Sequence, residues 1–372
     1  MTEMDMGLAP KNSKKNKKKK KKQSLWKSIV TGLFPCKGDS VSEIARKTVF
    51  LLALAVLVVA VVMICGHYLK YAQLEGEAAV DSAGNTTAVN KYIVELRNQE
   101  PTTQEVQQMP QGTINEKFAS LYAENNDFIG WLTIPGTNID YPVMQNPEKD
   151  YYLHRNFQKE DEFSGTLFVD HKGPITKDSM PQNTIIYGHN MLYRFQFSAL
   201  SEYKKSLDFL KFSPTIEFDT LYNNNQYKII SVFLTNIYPE HGDVFEYTKK
   251  IYFKNSDEFF DFVLECEDRS MYETGVDVQY GDEFVTLSTC DASTSMDLRL
   301  VVVARKVRPN ESPDVDTEKF VRKDSIKYFD AYYDIFGWNL WQGRTWDTSV
   351  VKGMDDYIKS HDLEDAPENY VQ

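Results

Sequence analysis

Cysteine is scarce in this chain. Four in 372 residues are too few for a disulfide framework. Glycine and proline are modest as well, at 18 and 14, which excludes collagen-like and low-complexity chains. No internal repeat is visible. No His/Cys cluster has a ligand spacing such as H-E-x-x-H, so neither a metal nor another cofactor is expected. Charge is missing altogether from residues 49–66. What the chain does have is aromatic residues, 13% of the total, ample for a packed core and incompatible with global disorder.

The net charge of −12 conceals a division. Residues 1–48 carry 13 basic and 4 acidic side chains, whereas residues 67–372 carry 29 and 50. Between them Val49–Cys65 is an unbroken apolar run of 17 residues. At about 1.5 Å per residue this run, extended to Tyr68, crosses a hydrocarbon core of about 30 Å. A cleaved signal peptide would have a shorter apolar region nearer the N-terminus. A transmembrane helix over 49–68 is therefore expected. Nine lysines crowd into Lys11–Lys22, whereas Lys70 is the one basic residue in the twenty that follow the run. The positive-inside asymmetry puts 1–48 in the cytoplasm and the body outside. Beside a membrane helix the lysine run is read as attracted to anionic lipid rather than to nucleic acid.

Residues 69–112 read as a polar linker with a short helix over 91–98. Thr113-Ile-Asn-Glu116 is a capping-box pattern that predicts a helix start, with Ile114, Phe118, Leu121 and Tyr122 on its core face. Strands are then expected over 128–134, 166–170, 183–189, 215–219, 227–237, 283–290 and 299–307, because these segments are short and β-branched or aromatic. Leu300-Val-Val-Val-Ala304 is apolar on both faces, as a central covered strand must be. One convincing helix, 257–268, interrupts the later strands, with Phe259, Phe260, Val263 and Cys266 at helical spacing. Many strands with few helices favour a β-barrel or sandwich over 113–308. Residues 309–372 are dense in aromatics, too dense for a disordered tail, and are expected to fold onto the barrel or a partner.

Cys266 and Cys290 lie in the outer part, where a disulfide is chemically open to them. Cys266 falls on an apolar helical stripe, where a thiol behaves as a small hydrophobe. Cys290 instead ends the strand Phe284-Val-Thr-Leu-Ser-Thr-Cys290 and opens into the polar loop 291–297, where scaffolds present reactive groups. Arg299 begins the next strand. In a hairpin the two would stand near the feet of one loop, their Cβ atoms about 5 Å apart if directly opposed. A guanidinium there would favour a thiolate or hold an oxyanion. Spacing alone leaves equal room for a surface Arg beside an inert Cys. A nucleophilic thiol also needs a proton carrier. His189 closes the strand Thr184-Ile-Ile-Tyr-Gly-His189 in a setting like that of Cys290, whereas His154, His171 and His241 read as surface residues.

Tyr187-Gly-His189, Thr286-Leu-Ser-Thr-Cys290 and Arg299 opening a Val-rich strand resemble the sortases, membrane-anchored cysteine transpeptidases of Gram-positive bacteria. Gly130–Val143, Tyr151-Tyr-Leu153 and the 257–268 helix resemble class B more than other classes. The resemblance spans roughly residues 113–308. It implies an eight-stranded sortase barrel with an N-terminal helix and a helix between late strands. It further implies Cys290 as nucleophile, His189 as general acid/base and Arg299 as oxyanion or substrate clamp, with Ser288 and Leu153 at the substrate site. The implied partners are secreted proteins bearing a C-terminal sorting signal and an amine acceptor from peptidoglycan or a pilin. The aromatic extension departs from the short class B ending. An L,D-transpeptidase is disfavoured because Asp291 and Ala292 follow Cys290 where that family has Arg after one residue. A tethered surface module with an inert Cys290 is the non-enzymatic alternative.

Overall fold

The computed structural model describes residues 32–76, 78–80, 86–191, 195–291 and 297–363. The lysine run, part of the polar segment 81–87 and most of the loop after Cys290 lie outside the described residues. Two compact units divide near residue 73. The first is dominated by α1 (Val41–Gly76), whose stretch Val41–Gly66 is long and apolar enough to cross a membrane. Its large apolar side chains, Leu52, Val56, Val62 and Met63 among them, are exposed within the unit.

In the second unit a short antiparallel pair, Ala78–Val80 with Thr86–Asn90, precedes α2 (Lys91–Asn98) and α3 (Thr103–Gln108). Much of the stretch expected as a spacer is thus ordered structure. Ile93 and Leu96 of α2 are buried in the main core, and Arg97 lies over the Trp131 ring at 4.3 Å while pairing with Asp140 at 2.8 Å. The capping box of this region is Thr102–Glu105, which starts α3. The Thr113–Glu116 pattern caps nothing: Thr113 donates its hydroxyl to the Pro110 carbonyl, and Asn115 sends its amide to the Thr220 carbonyl at 2.6 Å. Ile114 is accordingly 60% exposed, whereas Phe118, and Leu121 of α4 (Ala119–Glu124), are core.

Eight strands follow: β1 (Phe128–Thr133), β2 (Asp140–Met144), β3 (Leu167–Val169), β4 (Asn183–Tyr187), β5 (Thr215–Thr220), β6 (Asn224–Asn236), β7 (Phe284–Asp291) and β8 (Leu298–Lys306). They close a barrel in the order β7-β8-β6-β5-β1-β2-β3-β4, which is the expected sortase-type fold. Closure leaves no free sheet edge. Leu300–Ala304 of β8 are fully buried between β7 and β6, as an apolar two-faced strand must be. The β2 strand escapes a propensity reading because Pro142 sits within it, opposite Trp131. Between β4 and β5 two short helices, α5 (Leu200–Lys205) and α6 (Leu207–Phe212), were not anticipated. The late helix α7 (Ser256–Arg269) is capped by Asn255 and buries Phe259, Phe260, Val263 and Cys266, the stripe read from the sequence.

The extension, described over 309–363, folds onto this unit. Helix α8 (Asp330–Phe336) joins the main core through Tyr332 and Tyr333, and α9 (Met354–Ser360) packs Met354, Tyr357 and Ile358 on the second core beside α7. The clamp is Asp268 at the end of α7, 2% exposed. It accepts two bonds from the Arg344 guanidinium at 2.9 Å and one from the Trp346 indole at 2.7 Å. Arg344→Ala would strand that buried carboxylate, so we expect a loss of about 3 kcal/mol in urea unfolding and faster proteolysis after residue 309. Unchanged stability and protection would show that the clamp is not what holds the extension.

Candidate active site

Strands β7 and β8 pair antiparallel with Cys290 directly opposite Arg299. On its other side β7 pairs parallel with β4, Ser288 opposite Tyr187, and the Gly188 amide donates to the Ser288 carbonyl at 3.3 Å. Continuing that register by two residues brings His189 level with Cys290. The side chain of Asn190 completes the link, donating to the Cys290 carbonyl at 2.9 Å. Cysteine, histidine and arginine, separated by up to 110 positions, therefore meet at one end of three neighbouring strands. Gly188 is required there. A Cβ on it would lie 2.3 Å from a Leu167 methyl and 2.8 Å from the Phe197 ring.

The two outer cysteines have opposite fates, and both are free. Cys266 is buried in α7, and burial drives its thiol well above the ordinary range. Cys290 is exposed at the strand end. The thiol available to a substrate is thus Cys290.

The His189 imidazole is half-buried and held by the backbone. Its Nε2 lies 2.8 Å from the Leu153 carbonyl, which only accepts, so Nε2 carries the proton and Nδ1 is the nitrogen with a free lone pair. Burial pushes its pKa down; the Leu153 carbonyl opposes this, and the positive charges of His154 and Arg299 add to it. Around it stand two further rings. His154 lies 5.5 Å away at 26° to His189, and Phe163 lies 6.4 Å away at 12°. The backbone is pinned by Gln196, whose Oε1 accepts from the His189 amide at 2.9 Å and whose Nε2 donates to the Gly165 carbonyl at 2.9 Å.

Ser288 and Leu153 are each tied by a hydrogen bond to a neighbouring side chain. The Ser288 hydroxyl is buried and shares a 2.7 Å bond with the Tyr247 phenol. Burial raises that phenol to about 12, while the Ser288 bond and Arg299 pull it down and Cys290 pushes it up. Leu153 contributes its carbonyl to His189, with its side chain half-buried. On the reverse face Asp291, 2% exposed, pairs with Lys204 of α5 and anchors the strand beyond Cys290.

Four contributors lay beyond the sequence reading: His154, Gln196, Lys204 and Tyr247. His154 and His189 are adjacent only through the fold. The others act through contacts spanning 7, 87 and 41 positions.

The family model of the sortase domain matches residues 132–307. Sortase B of Listeria monocytogenes is 33% identical over 196 residues, covering 53% of this chain and 76% of that protein. Sortase B of Staphylococcus aureus is 31% identical over 200 residues, covering 52% and 76%. A solved structure of Clostridium perfringens sortase B has 31% identity, covers 50% of this chain and 98% of that one, and gives a TM-score of 0.46. With a closed eight-stranded barrel and relatives at this identity over three-quarters of their length, the chain belongs to the sortases, cysteine transpeptidases, and within them to class B.

Proposed function

We propose that this chain is a membrane-anchored sortase that uses Cys290, His189 and Arg299 to cleave a C-terminal sorting signal and pass the acyl group to an amine of the cell wall or of a pilin. The observation that carries the reading is the direct pairing of Cys290 with Arg299 beside β4, whose end leads two residues on to His189. In the first half-reaction the Cys290 sulfur attacks the scissile carbonyl and its proton passes to His189 Nδ1. Arg299 donates to the oxygen that gains charge. The nitrogen–carbon bond then breaks and His189 returns the proton to the leaving amine. In the second half an acceptor amine attacks the thioester and releases the thiol. A depressed His189 pKa suits this cycle, because a mostly neutral imidazole takes a proton first and gives it up easily.

Anchoring by α1 with residues 1–48 inside follows from the lysine asymmetry, and tethering raises the effective concentration of substrates held at the same surface. The test is incubation of the full chain in detergent with internally quenched sorting peptides, with and without an amine. Amine-dependent product with Cys290 intact supports the reading; no cleavage of any peptide by folded protein refutes it.

His154 and Phe163 would keep the His189 ring in register. His154→Ala is expected to lower kcat about three- to tenfold, the worth of one ring contact, with KM little changed. It also removes a cationic neighbour that holds the His189 pKa down. The activity limb belonging to His189 should therefore move to higher pH. His154→Phe restores the ring but not the charge, so kcat should recover while the limb stays shifted. A pH–rate profile identical to wild type in both variants contradicts the assignment.

A further inference from the structure

The sortase match ends at residue 307, and the folded extension beyond it holds a cavity of about 530 Å³. Its walls are aromatic. Tyr333 is pinned in place, its hydroxyl donating to the Ile326 carbonyl and accepting from the Tyr328 amide, both at 2.9 Å. Tyr328 lies 5.8 Å from Trp338, and Trp341 carries the Lys327 ammonium over its ring at 5.5 Å. Trp338 is nevertheless 51% exposed, a large ring face left to water. Around these rings the polar groups are unspent. The side chains of Asp324 and Asn339 are exposed and open to a ligand, and the indole N–H groups of Trp338 and Trp341 are tied to no partner among the described residues.

The cavity is rigidly mounted. Lys323 and Lys327 bracket it with backbone bonds to Met271 and Asp268, and Ser325 bonds Gly343. It also stands on the element that reaches the active-site end. Gly242 abuts Asp330 at the start of α8 so closely that a Cβ would lie 2.7 Å from the Asp330 nitrogen. The Gly242 carbonyl is held by Asn236, which pairs with Leu298, itself opposite Asp291. After burial, the charge of Asp291 is what raises the phenol of Tyr332 on that same helix.

Flat aromatic faces ringed by a solvent-facing carboxylate, a solvent-facing amide and indole donors suit a ligand with both C–H faces and many hydroxyl or acetamido groups. A lipid would leave Asp324 and Asn339 dehydrated without partners. A nucleic acid would meet a body with 50 acidic and 29 basic residues. We propose that this cavity binds a glycan strand of the cell wall and so holds wall-borne acceptor near Cys290. Glycan binding is independent of the transpeptidase reading; the assignment of the glycan as carrier of the acceptor amine rests on it.

The test uses the full chain in detergent carrying Cys290→Ala, so that binding is scored without turnover. Probes are the N-acetylglucosamine–N-acetylmuramic acid disaccharide by calorimetry and purified peptidoglycan by co-sedimentation. Controls are the stem peptide alone and a hexaproline peptide, the other ligand that aromatic clefts accept. The expected result is binding of both glycan probes, weakened about tenfold by Trp338→Ala. Asn339→Ala, at an exposed position, should weaken it as well. In the enzyme with Cys290, Trp338→Ala should raise KM for a glycan-linked amine and leave KM for a free peptide amine unchanged. No glycan binding, binding indifferent to both substitutions, or binding of hexaproline alone overturns the proposal. Glycan binding by a chain that transfers nothing would leave the site standing and refute the acceptor role.

Discussion

Cys290→Ala abolishes peptide cleavage and transfer while the barrel stays folded. The side chain is exposed at the strand end, so its loss opens no core cavity, and stability should change by less than about 0.5 kcal/mol. Removing a nucleophile from a group that acts as a unit costs on the order of 10⁵–10⁶ in rate. The same substitution removes rapid labelling of the outer part by a thiol reagent, because Cys266, the other cysteine there, is buried and its thiol is driven far from ionisation. Circular dichroism and urea unfolding check the fold, and a quenched-peptide assay checks the rate. Retained transfer would dismiss Cys290 as nucleophile.

Arg299→Lys is expected to lower kcat/KM by 10²-fold or more. Arg299 faces Cys290 across one rung of the β7–β8 ladder, where a planar fork can reach an oxygen on the substrate carbonyl attacked by that sulfur. Among the described residues its guanidinium donates to the Leu298 carbonyl at 3.2 Å, a single N–H of the five it carries. An oxyanion donor is worth about 3–4 kcal/mol in a dry site, and an ammonium retains the charge without the fork geometry. If kcat falls and KM holds, the donor acts on the transition state. A rise in KM alone would make Arg299 a ground-state clamp. An unchanged kcat/KM would remove it from the mechanism.

The sequence disclosed features written in local periodicity. The Leu300–Ala304 run fixed β8 as a covered strand, and Phe259, Phe260, Val263 and Cys266 fixed the buried face of α7. Placement of Cys290 and Arg299 at the feet of one hairpin was also readable, since it needs only two adjacent strands. What was lost was decided at long range. Pro142 masked β2 because proline argues against a strand until its neighbour across the sheet is known. The Thr113 pattern lost its cap to tertiary bonds, and residues 103–108, polar enough to read as linker, form a helix with a capping box of its own. His154 is exposed, as read, but nothing in the chain reports that His189 lies 5.5 Å from it. The bond from His189 to the Leu153 carbonyl joins positions 36 apart, and no local pattern announces it.

The most direct measurement is peptide mapping by mass spectrometry after acid quench of the full-length protein with a cleavable sorting peptide and no amine. The account predicts a thioester-linked acyl fragment on the peptide that contains Cys290, discharged when an amine is added before the quench. Turnover with the fragment on Cys36, Cys65 or Cys266, or with no acyl-enzyme on any residue, would contradict it.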